Sequence, residues 1–411
     1  MKEKVLNWAR QFDTFCFLDN HAYHLPPRQL ECVLAAGVRR KLSAEAGSAI
    51  SRLGAFVAER PSWLFGHLGY GLTAETLGLS PEKPDPSGFP DLFFFEPLYL
   101  VRLSQGEITI EAEDPDACYE ALMQVGESPA GIRPAGTSIQ QRLSRNEYLE
   151  TIARLQQHIQ RGDCYEINFC QEFFSDDYQM DPWWVYRKLM EVSPTPFAAL
   201  YRVGPHWLIC GSPERYLLKS GTRLLSQPIK GTAPREIADP VADAQLREQL
   251  QSSTKERAEN VMVVDLVRND LARVCEPGSV EVDELFGVYT FPKVHQLIST
   301  ISGRLGAEMD LPRILSATFP MGSMTGAPKR RVVELIRAYE TSGRGIFSGA
   351  LGYLRPDGDF DFNVVIRSIM YNAATRYLSF QAGSGITYYS VAEKEWEECL
   401  IKAAAMYQVL R

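Results

Sequence analysis

Residues 164–173 constrain the fold more than any other stretch of this sequence, because their side chains alternate in character. Glu166, Asn168 and Cys170 hold one set of positions, and mostly apolar side chains hold the other. Successive side chains of a β-strand point to opposite faces, so this period of two predicts a strand with one polar face. That face is suited to line a site, although the solvated face of a half-buried strand would show the same pattern.

Other strand-like segments are joined by turns rather than by regular crossover helices. Residues 91–103 and 108–113 have the composition of a strand pair, and residues 207–218 contain a strand interrupted by a turn. Helical periodicity and end signals predict separate helices at 145–161, 253–274, 329–339 and 391–410. Strands and helices without a βαβ rhythm predict an α+β fold.

A segment rich in Pro, Gly, Ser and Gln, residues 127–144, predicts an internal boundary. We expect an N-terminal region at residues 1–126 and a catalytic region at residues 145–411. Together they span 411 residues, enough for two or three ordinary domains.

Charge and hydropathy exclude several classes of function. The formal net charge is −8 and no basic stripe is present, which argues against a nucleic-acid partner. Charges interrupt the apolar stretches before they reach membrane-spanning length, and residues 1–8 lack the apolar core of a signal peptide. None of the eight cysteines forms a CxxC pair. We therefore expect a cytoplasmic protein without disulfides or a membrane partner.

Two ExxE pairs come from two different predicted helices. Glu256 and Glu259 form the first pair, and Glu395 and Glu398 form the second. Facing each other, the pairs would present hard oxygen ligands suited to one Mg²⁺ ion.

Each pair also has an ordinary structural interpretation. Ser253 and Glu256 fit a capping box, which would give that glutamate a structural role. Glu395, Glu398 and Lys402 share a polar arc that is typical of a solvated helix face.

Lys230 lies in the segment QPIKGTAPR at residues 227–235. Pro228 fixes φ, and Gly231 permits a turn or the close approach of a ligand to the backbone. The strand-like residues before it place Lys230 at a strand-to-loop boundary, where it would point into a cleft. A solvated lysine in a turn is the alternative.

Further charged residues complete a candidate site. The separation between Glu214 and Lys230 suits a hairpin that brings them together. A lysine nucleophile must be neutral, so its pKa must fall well below its ordinary value of about 10.4. Arg367, Lys402 and the amides of residues 383–385 would neutralise anionic groups. These residues predict a Mg²⁺-dependent enzyme that acts on a small polycarboxylate.

The chain resembles the chorismate-utilising enzymes from about residue 145 to its end, and more weakly in the N-terminal region. The matching motifs are GDCYE at 162–166, SPER at 212–215, KERAENVMVVDLVRNDLARV at 255–274, GAPK at 326–329, QAGSG at 381–385 and ExxExxxK at 395–402. The resemblance implies a fold like that of anthranilate synthase component I, with two intertwined domains whose antiparallel sheets face each other across a cleft.

Within that family, position 230 separates two activities. Anthranilate synthases typically carry PIAGT, whereas aminodeoxychorismate synthases carry PIKGT, which stands at residues 228–232 here. The resemblance implies conversion of chorismate and ammonia to 4-amino-4-deoxychorismate, for p-aminobenzoate and folate. Because nothing in the chain resembles a glutaminase, ammonia would come from a separate glutaminase subunit. Anthranilate synthase component I and an inactive chorismate-binding protein are the alternatives.

The resemblance also implies a role for each site residue. Lys230 would attack ring carbon C2 and expel the C4 hydroxyl, Glu214 would be the general acid/base, and His295 would lie beneath the ring. The direct Mg²⁺ ligands would be Glu259 and Glu398, supported by Glu256 and Glu395. The substrate contacts would be Gly231, Thr232, Ser323, Tyr353, Arg367, Gly383, Gly385, Lys402 and Glu166.

Position 166 departs from the family pattern. It is usually glutamine in the amination enzymes, and it is lysine in isochorismate and salicylate synthases, where it activates water. The glutamate found here argues against those last two activities. Glu166 would either hold ammonium or replace the hydrogen bonds of glutamine, and the sequence does not choose between them.

Overall fold

The computed structural model describes residues 1–23, 26–27, 30–126, 135–136 and 138–411, with the backbone alone described at 135–136. Half of the predicted boundary at 127–144 therefore lies outside the described residues, and the division into two regions stays a prediction. The mixture of helices with an antiparallel sheet confirms the predicted α+β class.

Helices flank the sheet along the whole described chain. They are Lys2–Trp8 (α1), Ala49–Ala58 (α2), Thr73–Leu77 (α3), Pro115–Gln124 (α4), Arg145–Gln160 (α5), Pro182–Val192 (α6), Pro240–Ser252 (α7), Thr254–Ala272 (α8), Leu311–Thr318 (α9), Lys329–Tyr339 (α10) and Ala392–Leu410 (α11). The four helices predicted from sequence are confirmed as α5, α8, α10 and α11. None of the helices in the described part of the chain is both long enough and apolar enough to cross a lipid bilayer.

Strands form most of the framework. They are Thr14–Asp19 (β1), Cys32–Ala44 (β2), Leu64–Leu68 (β3), Leu92–Ser104 (β4), Glu107–Glu111 (β5), Ala135–Gly136 (β6), Gln140–Gln141 (β7), Glu166–Ser175 (β8), Tyr178–Gln179 (β9), Phe197–Val203 (β10), His206–Ser212 (β11), Arg215–Ser220 (β12), Arg223–Gln227 (β13), Ile229–Pro234 (β14), Glu281–Thr290 (β15), Val294–Arg304 (β16), Gly326–Ala327 (β17), Ala350–Leu354 (β18), Phe360–Asn363 (β19), Ser368–Asn372 (β20) and Tyr377–Ile386 (β21).

Strands from both ends of the chain share one sheet. Among the described residues, 19 strands form a continuous sheet, and β6 pairs separately with β9. The N-terminal strands β1 and β3 pair antiparallel with β10 and β18 from the second half of the chain. The two predicted regions are thus interleaved by hydrogen bonding.

Strand β8 confirms the alternation seen in the sequence and decides how its polar face is used. Its apolar face is covered by two helices, since Phe169 packs against Tyr148 of α5 and Phe173 packs against Tyr407 of α11. The opposite face carries Glu166, Asn168 and Cys170, with exposed fractions of 3%, 8% and 3%. This face is therefore buried inside the molecule, and the solvated alternative is wrong.

Candidate active site

A cleft of about 690 Å³ lies between the β8/β21 pair, strand β14 and helices α8 and α11. It gathers most of the residues that the sequence placed in a site. Those that line it are Glu214, Lys230, Gly231, Thr232, Glu256, Glu259, Ser323, Arg367, Gly383, Gly385, Glu398 and Lys402.

Lys230 forms an ion pair across the cleft with Glu166. Its Nζ donates a hydrogen bond of 2.9 Å to Glu166 Oε1, and the two side chains are only 13% and 3% exposed. Burial lowers the pKa of Lys230, but the carboxylates of Glu166, Glu259 and Glu398 together outweigh it and raise the pKa above its ordinary value. The expectation of a lowered pKa is wrong for the free protein, in which Lys230 is cationic.

The backbone around Lys230 explains how its side chain reaches the cleft. Pro228 separates β13 from β14, and the ladder between β14 and β16 is irregular between Ile229 and Thr232. Lys230 therefore lies inside a bulged strand, not at the predicted boundary between strand and loop. At Gly231, φ is +88°, and a Cβ would lie 2.9 Å from Glu256 Oε2, so a side chain there would be strained and crowded.

Glu214 lies between β11 and β12 and is 4% exposed. Burial raises the pKa of its carboxyl to about 7. The Ser323 hydroxyl and three nearby cations oppose this shift. The cations are Lys230, Arg367 and Lys402. Glu214 thus holds a proton in a substantial fraction of molecules near neutral pH and can donate it as a general acid.

Arg367 lines the same cleft from an unusual backbone position. Strand β20 begins one residue later, and Arg367 has a φ of +50°. Its carbonyl accepts a hydrogen bond of 3.2 Å from the Gly211 amide. Burial lowers the pKa of its guanidinium, and the Glu214 carboxyl opposes that shift. The result is a half-buried cation whose charge acts on the Glu214 carboxyl.

Carboxylates from α8 and α11 meet at one side of the cleft. Lys255 Nζ lies 3.8 Å from Glu259 Oε1 and 3.9 Å from Glu398 Oε2, so one ammonium group lies close to both helices' carboxylates. Lys402 Nζ donates hydrogen bonds of 2.8 Å to Glu398 Oε1 and to the Gly383 carbonyl. Sequence reasoning overlooked Lys255, although its i,i+4 spacing to Glu259 was a usable signal.

The four glutamates predicted to bind metal are not equivalent. Glu256 lines the cleft. Its backbone amide donates a hydrogen bond to the Ser253 hydroxyl, which is one of the two hydrogen bonds of the predicted capping box. Glu395 is 3% exposed and does not line the cleft. Within the described ranges, no three His, Cys, Asp or Glu side chains converge on a metal position.

Glu259 and Glu398 nevertheless fit a divalent cation with open coordination positions. Magnesium is commonly held by one or two carboxylates, with water and substrate completing its shell. These two carboxylates already share the Lys255 ammonium as a common counter-ion. Burial raises the pKa of Glu259 to about 7, so a cation there would favour its ionised form.

His295 and Tyr353 do not line this cleft, and their contacts with substrate stay predictions. Neighbouring residues on β16 face opposite ways, so Val294 lines the cleft while His295 lines a separate cavity of about 510 Å³. There His295 Nε2 lies 3.1 Å from Asp243 Oδ1. Tyr353 packs between aromatic rings, with centroids 5.7 Å from Trp63 and 5.8 Å from Phe65.

Comparison with known proteins gives the cleft a family context. Residues 20–408 match the family of chorismate binding enzymes. Over 304 residues the chain is 38% identical to aminodeoxychorismate synthase component 1 of Klebsiella aerogenes, a match that covers 74% of this chain and 66% of that protein. The matched segment is thus just under two thirds of the length of that relative.

Two further comparisons cover more of the related chain. Over 357 residues the chain is 34% identical to anthranilate synthase component 1 of Thermus thermophilus, covering 84% of this chain and 76% of that one. The crystal structure of anthranilate synthase component I from Streptococcus pneumoniae aligns with a TM-score of 0.80 at 24% identity, over 95% of this chain and 94% of that chain. That structural likeness confirms the predicted fold. With a family match spanning residues 20–408, this chain belongs to the chorismate binding enzymes.

Proposed function

We propose that this protein is an aminodeoxychorismate synthase, which converts chorismate and ammonia into 4-amino-4-deoxychorismate and water, for p-aminobenzoate and folate synthesis. The single observation that carries the proposal is Lys230, which lines the cleft with only 13% of its side chain exposed, within reach of acidic side chains on several elements. The names of relatives such as the Klebsiella protein support the same activity.

Chorismate carries two carboxylates, and the cleft offers cationic groups for them. Arg367 and Lys402 both line the cleft, and Lys402 Nζ donates a hydrogen bond to the Gly383 carbonyl. A planar guanidinium binds a carboxylate through two parallel hydrogen bonds, which would also orient the substrate ring.

The proposed chemistry has two displacement steps. The neutral amine of Lys230 bonds to ring carbon C2, the two ring double bonds shift, and the C4 hydroxyl leaves as water with a proton from Glu214. Ammonia then bonds to C4, the double bonds shift back, and the lysine nitrogen leaves C2 with the electron pair of that bond. Glu214 suits the first step because burial raises its pKa to about 7.

Lys230 must lose its proton before it can act. Two of the three carboxylates that raise its pKa, Glu259 and Glu398, are the pair that fits a divalent cation. When bound there, Mg²⁺ would supply positive charge that neutralises this pair and attracts a substrate carboxylate. Glu256, which also lines the cleft, would support the ion, whereas buried Glu395 would act only at a distance.

We further propose that ammonia comes from a separate glutaminase subunit. The name of the Klebsiella relative, component 1, implies that it works with a second component. Free ammonium salt should replace that subunit in a purified assay.

The test is the identity of the product formed from chorismate, Mg²⁺ and ammonium chloride. Mass spectrometry distinguishes 4-amino-4-deoxychorismate, which keeps the enolpyruvyl group, from anthranilate, which has lost it. Anthranilate as the main product would refute the proposal and make the protein an anthranilate synthase, as the 34% identical Thermus relative is named. Chorismate binding without any product would instead indicate an inactive binding protein.

A substitution at the central lysine tests the covalent step. Lys230→Ala should lose turnover at least a thousandfold while retaining chorismate binding, because the nucleophile is removed and the cationic contacts remain. Lys41→Ala, at an exposed position on β2, is the matched control and should keep wild-type turnover.

A further inference from the structure

The Glu166 carboxylate has one oxygen engaged and one unengaged. Oε1 accepts the hydrogen bond from Lys230, whereas Oε2 is buried and has no hydrogen-bond partner among the described residues. A buried carboxylate oxygen without a donor is costly, so its retention next to Lys230, which lines the cleft, points to a ligand that supplies a donor.

Neighbouring polar groups do not satisfy this oxygen. Asn168, the next residue on the same face of β8, has both ends of its amide engaged. Its Nδ2 donates to the Ser323 carbonyl at 3.2 Å, and its Oδ1 accepts from Cys170 Sγ at 3.2 Å. On strand β21, which pairs with β8 in the same sheet, Gly385 has no side chain, and a Cβ there would lie 2.5 Å from Glu166 Oε1. Glu166 Oε2 therefore remains an acceptor without a donor among the described residues.

The charge on Glu166 loses its partner during the proposed reaction. In the free protein the Lys230 ammonium balances it at 2.9 Å. The neutral amine becomes a secondary ammonium when it bonds to C2, and that group passes a proton to the Glu214 carboxylate left by the departure of the hydroxyl. Glu166 is then a buried anion without a counter-ion, which is strongly unfavourable. A small cation that donates hydrogen bonds meets this need, and ammonium is the cation that the next step consumes.

We propose that Glu166 is the ammonium site of this enzyme, with Oε2 binding the cation and then accepting one of its protons. This inference rests on the proposed function. An N–H bond of ammonium breaks, its electron pair stays on nitrogen, and the proton moves to Oε2. The products are neutral ammonia, which bonds to C4, and a neutral carboxyl group, which returns the proton to Lys230 as that nitrogen leaves C2.

The test compares ammonium dependence in the wild type and in Glu166→Gln. The amide keeps the shape of the side chain but neither attracts a cation nor accepts its proton. We expect the KM for ammonium to rise at least tenfold, while the KM for chorismate changes less than threefold. Glu166→Asp, which keeps the charge, should recover part of the loss. Glu150→Gln, an exposed change of the same chemistry on α5, should behave as wild type.

A measurement on the wild type alone keeps the test independent of variant folding. A dedicated site predicts that the amination rate saturates as ammonium chloride rises at constant ionic strength, and a linear dependence would overturn the inference. An unchanged KM for ammonium in Glu166→Gln would overturn it as well, with the proposed function intact. If the wild type forms no aminated chorismate at all, the proposed function fails first and this inference falls with it.

Discussion

Replacing Gly385 by alanine tests whether the Lys230–Glu166 pair must be held in place. A Cβ at this position would lie 2.5 Å from Glu166 Oε1 and 3.1 Å from Lys230 Nζ. An ordinary contact needs about 3.4 Å, so the carboxylate oxygen must retreat by about 0.9 Å. Both obstructing atoms are the ends of flexible side chains, so we expect the chain to fold with a stability loss of about 1–3 kcal/mol.

The catalytic cost should be much larger than the structural cost. A displacement of about 1 Å in a reacting group can lower the rate about a hundredfold, so kcat for Gly385→Ala should fall by about that factor. Turnover of chorismate with ammonium gives the rate, and urea denaturation gives the free energy of unfolding.

A matched control separates crowding at the ion pair from a general effect of alanine. Like Gly385, Gly306 does not have a positive φ, so its backbone accepts alanine without strain. A Cβ at Gly306 would have no neighbouring atom closer than 3.6 Å. Gly306→Ala should keep both turnover and stability near wild type. If Gly385→Ala retains kcat within threefold of wild type, the pair tolerates displacement and the geometric argument for the cleft is refuted.

Two further predictions concern protons and metal. Burial raises the pKa of Glu214 to about 7, so its acid form dominates below pH 7 and is lost above it, and kcat should fall as pH rises past 7. Glu214→Gln should lose most of the activity, and its remaining kcat should no longer fall above pH 7. If kcat of this variant still falls above pH 7, the titrating group is not Glu214. Lys255 competes for the Glu259 and Glu398 carboxylates, so Lys255→Met should lower the Mg²⁺ concentration needed for half-maximal activity severalfold, and a higher requirement would contradict this.

Local patterns in the sequence were sufficient to predict the elements that frame the cleft. The alternation at residues 164–173 predicted β8 because side-chain period is a property of neighbouring residues. Helices α8 and α11 were predicted from apolar periodicity, and the ExxE pairs on them were correctly placed on two separate elements. The family motifs then identified most of the residues that line the cleft.

Features that depend on distant residues were not predictable in the same way. The raised pKa of Lys230 comes largely from Glu166 on another strand, and no local pattern reports that contact. His295 and its neighbour Val294 line different cavities, because a shift of one residue reverses the face of a strand. The positive φ of Arg367 follows from the turn that leads into β20, where strand propensity is no guide.

The interleaved sheet has a consequence for how the protein acquires its cleft during synthesis. One edge of strand β8 is paired along its length only when β21 has been made, since Ser175 pairs with Leu378 and Asn168 pairs with Gly385. Strands β1 and β3 pair with the nearby strands β2 and β4, but their second edges need β10 and β18. Such high contact order makes folding slow and leaves unpaired strand edges on the nascent chain. The cleft can therefore form only after β21 has been made, and strand edges stay exposed on the nascent chain until then.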